Sequence, residues 1–147
     1  MPSHKETKNL PYNTSQLFDV VSDIEKYPEF LPWVAALRIT EENGDELLAE
    51  TVVKFKAFTD SYTSRVKLQR PDEEGRASIE VTQEEGPFEY LNNSWKFEPD
   101  GEGSIVTFEI DFKFKSKLMD KMIGGIFKKA AFKMSEAFDK RAEELYG

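Results

Sequence analysis

The side chains that carry most enzymatic chemistry are scarce in this chain. Cysteine is absent and histidine occurs once, at His4. That excludes thiolate nucleophiles, disulfides and Cys-ligated zinc or iron–sulfur centres, and leaves no pair of histidines to hold a metal. A Ser-His-Asp relay would hang on one residue of the N-terminal stretch MPSHKETKNL, which reads as flexible. The adjacent carboxylates Glu73-Glu74 and Glu84-Glu85 both flank turns, where such pairs are solvated rather than poised as acid and base. Gly101-Glu102-Gly103 lacks the spacing of a dinucleotide loop. No RNA-reading stretch appears. What remains is a set of neutral groups, Thr51, Tyr62, Ser64 and Asn93, which fit either satisfied polar positions in a core or hydrogen-bond partners for a carbonyl oxygen. The residue inventory points to a binding module with no catalytic residue and no metal site.

Strands position those groups. After Trp33 the apolar period becomes two. Strand two is read over Ala36–Glu42, with Asn43-Gly44 as a hairpin turn. Strand three, Glu46–Ala57, sets Leu47, Ala49, Thr51, Val53, Phe55 and Ala57 on one face. Strand four, Asp60–Arg70, turns Tyr62, Ser64, Val66 and Leu68 inward. Strand five, Arg76–Gln83, offers Ala77, Ile79 and Val81, and strand six, Tyr90–Glu98, offers Leu91, Asn93, Trp95 and Phe97. Strand seven, Ser104–Lys115, alternates most regularly, with Val106, Phe108, Ile110, Phe112 and Phe114 to one side. Such alternation describes a sheet with one wet and one buried face. Ahead of these lie a strand over 3–9, which stops at Pro11, and a helix with Asn13 or Thr14 as N-cap and Gln16 completing a capping box. Pro28 ends that helix, and Pro28 and Pro32 bracket a second short turn, Glu29–Leu31, that ends at Trp33.

The chain closes with one helix over about Lys117–Tyr146, thirty residues and so roughly 45 Å. Met119, Met122, Ile123, Ile126, Phe127, Ala130, Met134, Ala137 and Phe138 form its apolar stripe, with Lys121, Lys128 and Phe132 opposite. Gly124-Gly125 interrupts the pattern, and each glycine costs roughly 0.5–1 kcal/mol against alanine. Either the helix bends there, or something such as Trp95 approaches its backbone closely. Charge is unevenly spread: the chain carries −8 overall, residues 1–112 carry −12 and residues 113–141 carry +6. Lys121, Lys128, Lys129 and Lys133 form the basic face, which fits either a solvated helix surface or an element that turns the protein toward a polyanion. Arg141, on the stripe side, fits a rim position or a pairing with an acid.

The chain length of 147 residues suits a single domain, 1–147. The expected fold class is α+β: a curved seven-stranded antiparallel sheet wrapped around a long C-terminal helix, with two short helices after strand one. Together with Tyr27-Pro28-Glu29-Phe30-Leu31-Pro32-Trp33, this order of elements resembles the START-like helix-grip superfamily, over essentially the whole chain. Within it the resemblance is to the coenzyme-Q-binding and polyketide cyclase/dehydrase branch, which also contains bacterial ribosome association toxins. The resemblance implies a tunnel between sheet and helix that holds a ubiquinone, an isoprenoid or a polycyclic lipid. The residue pattern itself interleaves large aromatics with small residues such as Ala49, Ala57, Ser64, Ala77 and Ala130, which fits either a densely packed core or a cavity. Expected wall residues are Phe30, Trp33, Val53, Phe55, Tyr62, Ser64, Val66 and Asn93. Trp95, Phe108, Phe112, Met122, Ile123, Ile126, Phe127 and Met134 complete the set.

Three functions compete. The first is a lipid or quinone carrier or chaperone supporting respiration. The second is a toxin-like regulator that binds the large ribosomal subunit, and the third is an aromatase/cyclase. Sequence-specific DNA is not an expected partner, and a weak membrane contact through Phe132 and its neighbouring lysines fits a quinone handler. No apolar run approaches the ~20 residues of a membrane span and the N-terminus has no apolar leader. The expected place is the cytoplasm, with the periphery of the inner membrane open to it.

Overall fold

The computed structural model describes residues 3–55 and 58–147, with the Phe55 and Phe58 side chains outside that description. In chain order the elements are β1 (Ser3–Leu10), α1 (Thr14–Ser22), a 3-10 helix (Ile24–Glu29), β2 (Val34–Asn43), β3 (Glu46–Phe55) and β4 (Phe58–Gln69). They continue with β5 (Ala77–Glu85), β6 (Phe88–Asp100), β7 (Gly103–Phe114), α2 (Lys117–Gly124) and α3 (Phe127–Tyr146).

The strands form one antiparallel sheet in the order β1-β7-β6-β5-β4-β3-β2. Every neighbour but β1 is a hairpin partner, and β1 returns to pair with β7 from Ser3↔Asp111 to Leu10↔Ser104. Two register shifts, at Val34/Ala36 and Ile39/Glu41, bend the β2 edge. The alternation read from the sequence is the alternation observed: Val106, Phe108, Phe112 and Phe114 are buried on β7.

The Asn13 capping box starts α1. The Gln16 amide donates to Asn13 Oδ1 at 2.9 Å and the Asn13 amide to Gln16 Oε1 at 3.0 Å. Leu17, Phe18, Val20 and Val21 are then buried against the sheet. The turn expected at Glu29–Leu31 lies earlier. It is the 3-10 helix Ile24–Glu29, and Pro28 sits inside it because a 3-10 helix this short needs few of the amide donors that proline lacks.

The terminal helix is two helices, not one. Ser116 caps α2 through Met119 N–H at 3.2 Å, and the backbone leaves the helix at Ile126 (φ −121°, ψ −1°) before α3 begins. A Cβ on Gly124 would meet nothing within 4 Å, and one on Gly125 only the Met122 carbonyl at 3.9 Å. Close approach of Trp95 is therefore not the reason for these glycines; they lie just before the residue at which the helix breaks. His4 is likewise not in a loose tail. It lies in β1, its Nε2 3.1 Å from Glu6 Oε2 and its ring centroid 6.1 Å from that of Phe108.

Candidate functional site

Sheet and helix grip differently along their length. At one end Trp95 packs at 4.5 Å from Phe108 and 4.8 Å from Phe138 (ring centroids), and α1 fills the remaining space. Beyond Trp95 and Phe138 the fold opens into a cavity of about 220 Å3, under α3 and the α2–α3 break. For scale, an apolar hole of about 150 Å3 takes a benzene ring.

The sheet register builds its floor. One row crosses β4 to β7 as Val66, Val81, Asn93 and Ile110, each the direct partner of the next. A second row places Leu37 opposite Thr51 and Thr51 opposite Tyr62. An aromatic wall joins sheet to helix: Tyr62 to Phe88 at 5.5 Å, Phe88 to Phe112 at 5.6 Å, and Phe112 to Phe127 at 4.8 Å, all edge to face. Met134, Ala130 and Ala131 of α3 form the roof, and Tyr27, Leu31 and Trp33 close the side nearest β2.

No described residue of the lining is charged. The polar groups are few and fixed. Burial, together with the nearby Tyr62 and Asp23, drives the Tyr27 phenol well above its ordinary range, and its hydroxyl donates to the Val21 carbonyl. Burial also raises Tyr62, which hydrogen-bonds Thr51. Both phenols therefore stay neutral and serve as O–H donors. The Asn93 amide nitrogen donates to the Glu109 carbonyl at 2.9 Å, which leaves its oxygen as the group able to accept. Only glycine fits at Gly86: a Cβ there would lie 2.5 Å from Tyr62 Cβ and from Gln83 Oε1, so the β5–β6 turn runs close beside Tyr62.

Of the wall residues expected from sequence, Trp33, Val53, Tyr62, Ser64, Val66, Asn93, Trp95 and Phe112 line the cavity, with Ile123, Ile126, Phe127 and Met134 above them. Four do not. Phe30 packs outside, 5.8 Å from Tyr27 and 5.2 Å from Phe138, with the Arg141 guanidinium 5.3 Å over its ring. Phe108 is buried at the filled end because the register sets it opposite Trp95 and Glu6. Met122 is 57% exposed, since α2 presents Met119 and Ile123 to the sheet and Met122 lies round its outer face. The Phe55 side chain, like the expected Ala57, falls outside the described residues. Ile24, Tyr27, Leu31, Phe88, Leu91, Ile110 and Phe114 line the cavity without having been expected there. Most share the faces already read as inward; alternation gives the face but not the depth along the strand.

Lys121, Lys128, Lys129 and Lys133 are all exposed, and none forms an ion pair among the described residues. Arg141 pairs with Glu29 at 3.5 Å and Glu144 at 3.8 Å. Among the described residues there is no cluster of three or more metal-ligating side chains, and no helix is long and apolar enough to cross a membrane.

A curved seven-stranded sheet closed by a C-terminal helix over an apolar cavity is the START-like helix-grip architecture. The chain belongs to the polyketide cyclase / dehydrase and lipid transport family, whose model matches residues 10–139. It is 44% identical over 145 residues to the "Ribosome association toxin RatA" of Rickettsia prowazekii, covering 99% of both chains. The solution structure of an 18 kDa protein from Caulobacter crescentus superposes with a TM-score of 0.78 at 37% identity, over 100% of this chain and 99% of that one. "Coenzyme Q-binding protein COQ10 homolog B, mitochondrial" of Xenopus laevis is 28% identical over 148 residues, 98% of this chain and 59% of that protein.

Proposed function

We propose that the protein binds a hydrophobic ligand of the ubiquinone or isoprenoid class between sheet and α3, and acts as its carrier or chaperone in support of respiration. The observation that carries this reading is the cavity of about 220 Å3, apolar in nearly all its lining and furnished with a neutral O–H donor at the Tyr62–Thr51 pair. A quinone matches it in kind. Its ring fits the space, its carbonyl oxygens accept from hydroxyls, and its isoprenoid tail follows the aromatic wall toward the α2–α3 break. The group at stake is held without proton transfer, because the titratable side chains on the described wall are the neutral phenols Tyr27 and Tyr62. The coenzyme-Q-binding name of the Xenopus laevis relative supports the choice of cargo. Organic extraction of the purified protein followed by mass spectrometry tests it: a co-purifying isoprenoid quinone is expected, and an extract free of any isoprenoid argues against the reading.

A second reading has its own observation. The relative that is 44% identical end to end is named for ribosome association. In this reading Lys121, Lys128, Lys129 and Lys133 meet ribosomal RNA phosphates on the large subunit, and attachment weakens steeply as salt rises. Sedimentation of ribosomes with the added protein checks it: co-migration at low salt and release at high salt are expected, and a protein that stays at the top of the gradient at low salt rejects it.

A further inference from the structure

We propose that the outer face of α2, Leu118 and Met122 flanked by Lys115, Lys117 and Lys121, docks the protein on an anionic lipid bilayer. The proposal rests on the cargo reading above, to which it adds where the cargo is collected.

Leu118 is 68% and Met122 57% exposed, the two largest exposures among the big apolar side chains described. Four residues apart, they stack on one side of α2, with Lys117 and Lys121 forming the adjoining ridge. No residue of α2 is buried. The helix is attached through half-buried Met119 and Ile123 and through Asp120, whose Oδ1 accepts from the Phe114 amide at 3.1 Å. The apolar pair thus contributes nothing to the core it lies beside.

Charge selects the surface it meets. Residues 115–133 hold six lysines and one acid, Asp120, while residues 1–112 carry −12. None of those six lysines forms an ion pair among the described residues. An anionic surface attracts this end and repels the rest, so it orients the molecule with α2 foremost. RNA phosphates would attract the same lysines, but they gain nothing from desolvating Leu118 and Met122. A bilayer takes both, the lysines at its headgroups and the apolar pair among its acyl chains. Position agrees: Met122 leads directly into Ile123, and the glycine break into Ile126, and both isoleucines line the cavity. Phe132, by contrast, shares the α3 flank of Ser135 and Asp139, and Asp139 meets Lys8 of β1 on the side away from the cavity roof.

The test is flotation of the full chain with vesicles of phosphatidylcholine, with and without phosphatidylglycerol and free of isoprenoids. The expected result is binding that needs phosphatidylglycerol and fades with salt. It falls about tenfold or more in Leu118→Ser/Met122→Ser, and about fivefold for each of Lys117→Gln and Lys121→Gln. All four positions are exposed, so circular dichroism and thermal unfolding should match the parent chain. Absence of flotation overturns the proposal, as does flotation indifferent to the apolar double variant. Binding to poly(A) that depends on the lysines but not on Leu118 and Met122, with no vesicle binding, overturns it in favour of RNA. A short-chain quinone titrated in parallel separates the two claims: failed flotation with intact quinone binding removes the docking face alone, and the converse removes the cargo.

Discussion

The two ends of the grip are built from the same residue types and do opposite things. On one side of Trp95 and Phe138, Phe18 of α1 packs on Phe97 and Trp95 on Phe108 in one filled cluster. On the other, Tyr62, Phe88, Phe112 and Phe127 touch edge to face around empty space. The difference is in the cover. The filled end has α1, with five buried residues in nine, as a third layer over the sheet. The hollow end has α3 without such a third layer, and beside it only α2, with none in eight, and the helix break. Burial is concentrated where the third layer exists, and open space where it does not.

The widest contrast comes from truncating a ring at the filled end. Phe108→Ala is expected to cost about 3–5 kcal/mol in urea unfolding, whereas Met134→Ala, which already borders the void, costs about 2 kcal/mol or less. Equal losses would remove the distinction between the ends.

The filled end also carries a charge network whose sign can be checked. Burial raises the Glu6 carboxyl, but hydrogen bonds to Ser135 and His4 and the charge of Lys8 outweigh it and hold the group below the ordinary carboxylate range. Lys8 reaches on to Asp139 at 2.5 Å and ties β1 to α3. A carboxylate with a depressed folded pKa stabilises the fold above its unfolded pKa, and that contribution is lost as pH falls through the folded value. Glu6→Gln should therefore cost roughly 1–3 kcal/mol at neutral pH and progressively less in acid. A cost that persists unchanged in acid would show that the charge of Glu6 is not what matters.

At the hollow end, Ala130→Phe should fill the cavity. It is expected to leave thermal stability unchanged or slightly raised while weakening quinone binding about tenfold or more, measured by titration. The smallest effect belongs to the break: Gly124→Ala and Gly125→Ala fit sterically and should each stabilise by about 0.4–1 kcal/mol in thermal unfolding. A loss of stability would mean that the glycines answer a packing need, not a break.

Period-two alternation made the sheet legible in the sequence, because each strand has one wet and one buried face. It could not say how far along a strand the packing stops. Phe108 and Phe112 share a face four residues apart, yet the first lies under Trp95 and the second on the cavity wall. Tyr27 and Ile24 are not legible as wall residues because Pro28 and Pro32 signal a turn after Pro28, whereas the 3-10 helix begins before it. Met122 falls on the apolar stripe of one continuous helix, whereas the shorter α2 is seated by Met119, Ile123 and Asp120. The glycine pair was the available signal for that break. Its cost was visible in sequence, but its consequence depended on whether anything packed against it.

The chain's two tryptophans, Trp33 and Trp95, both line the cavity. Titration with a short-chain ubiquinone, followed by their fluorescence, therefore probes the central claim directly. Quenching is expected to saturate at one equivalent and to shift to higher concentration in Ala130→Phe and, more weakly, in Tyr62→Phe. Quenching that rises linearly without saturation, identical in all three proteins, would contradict that claim.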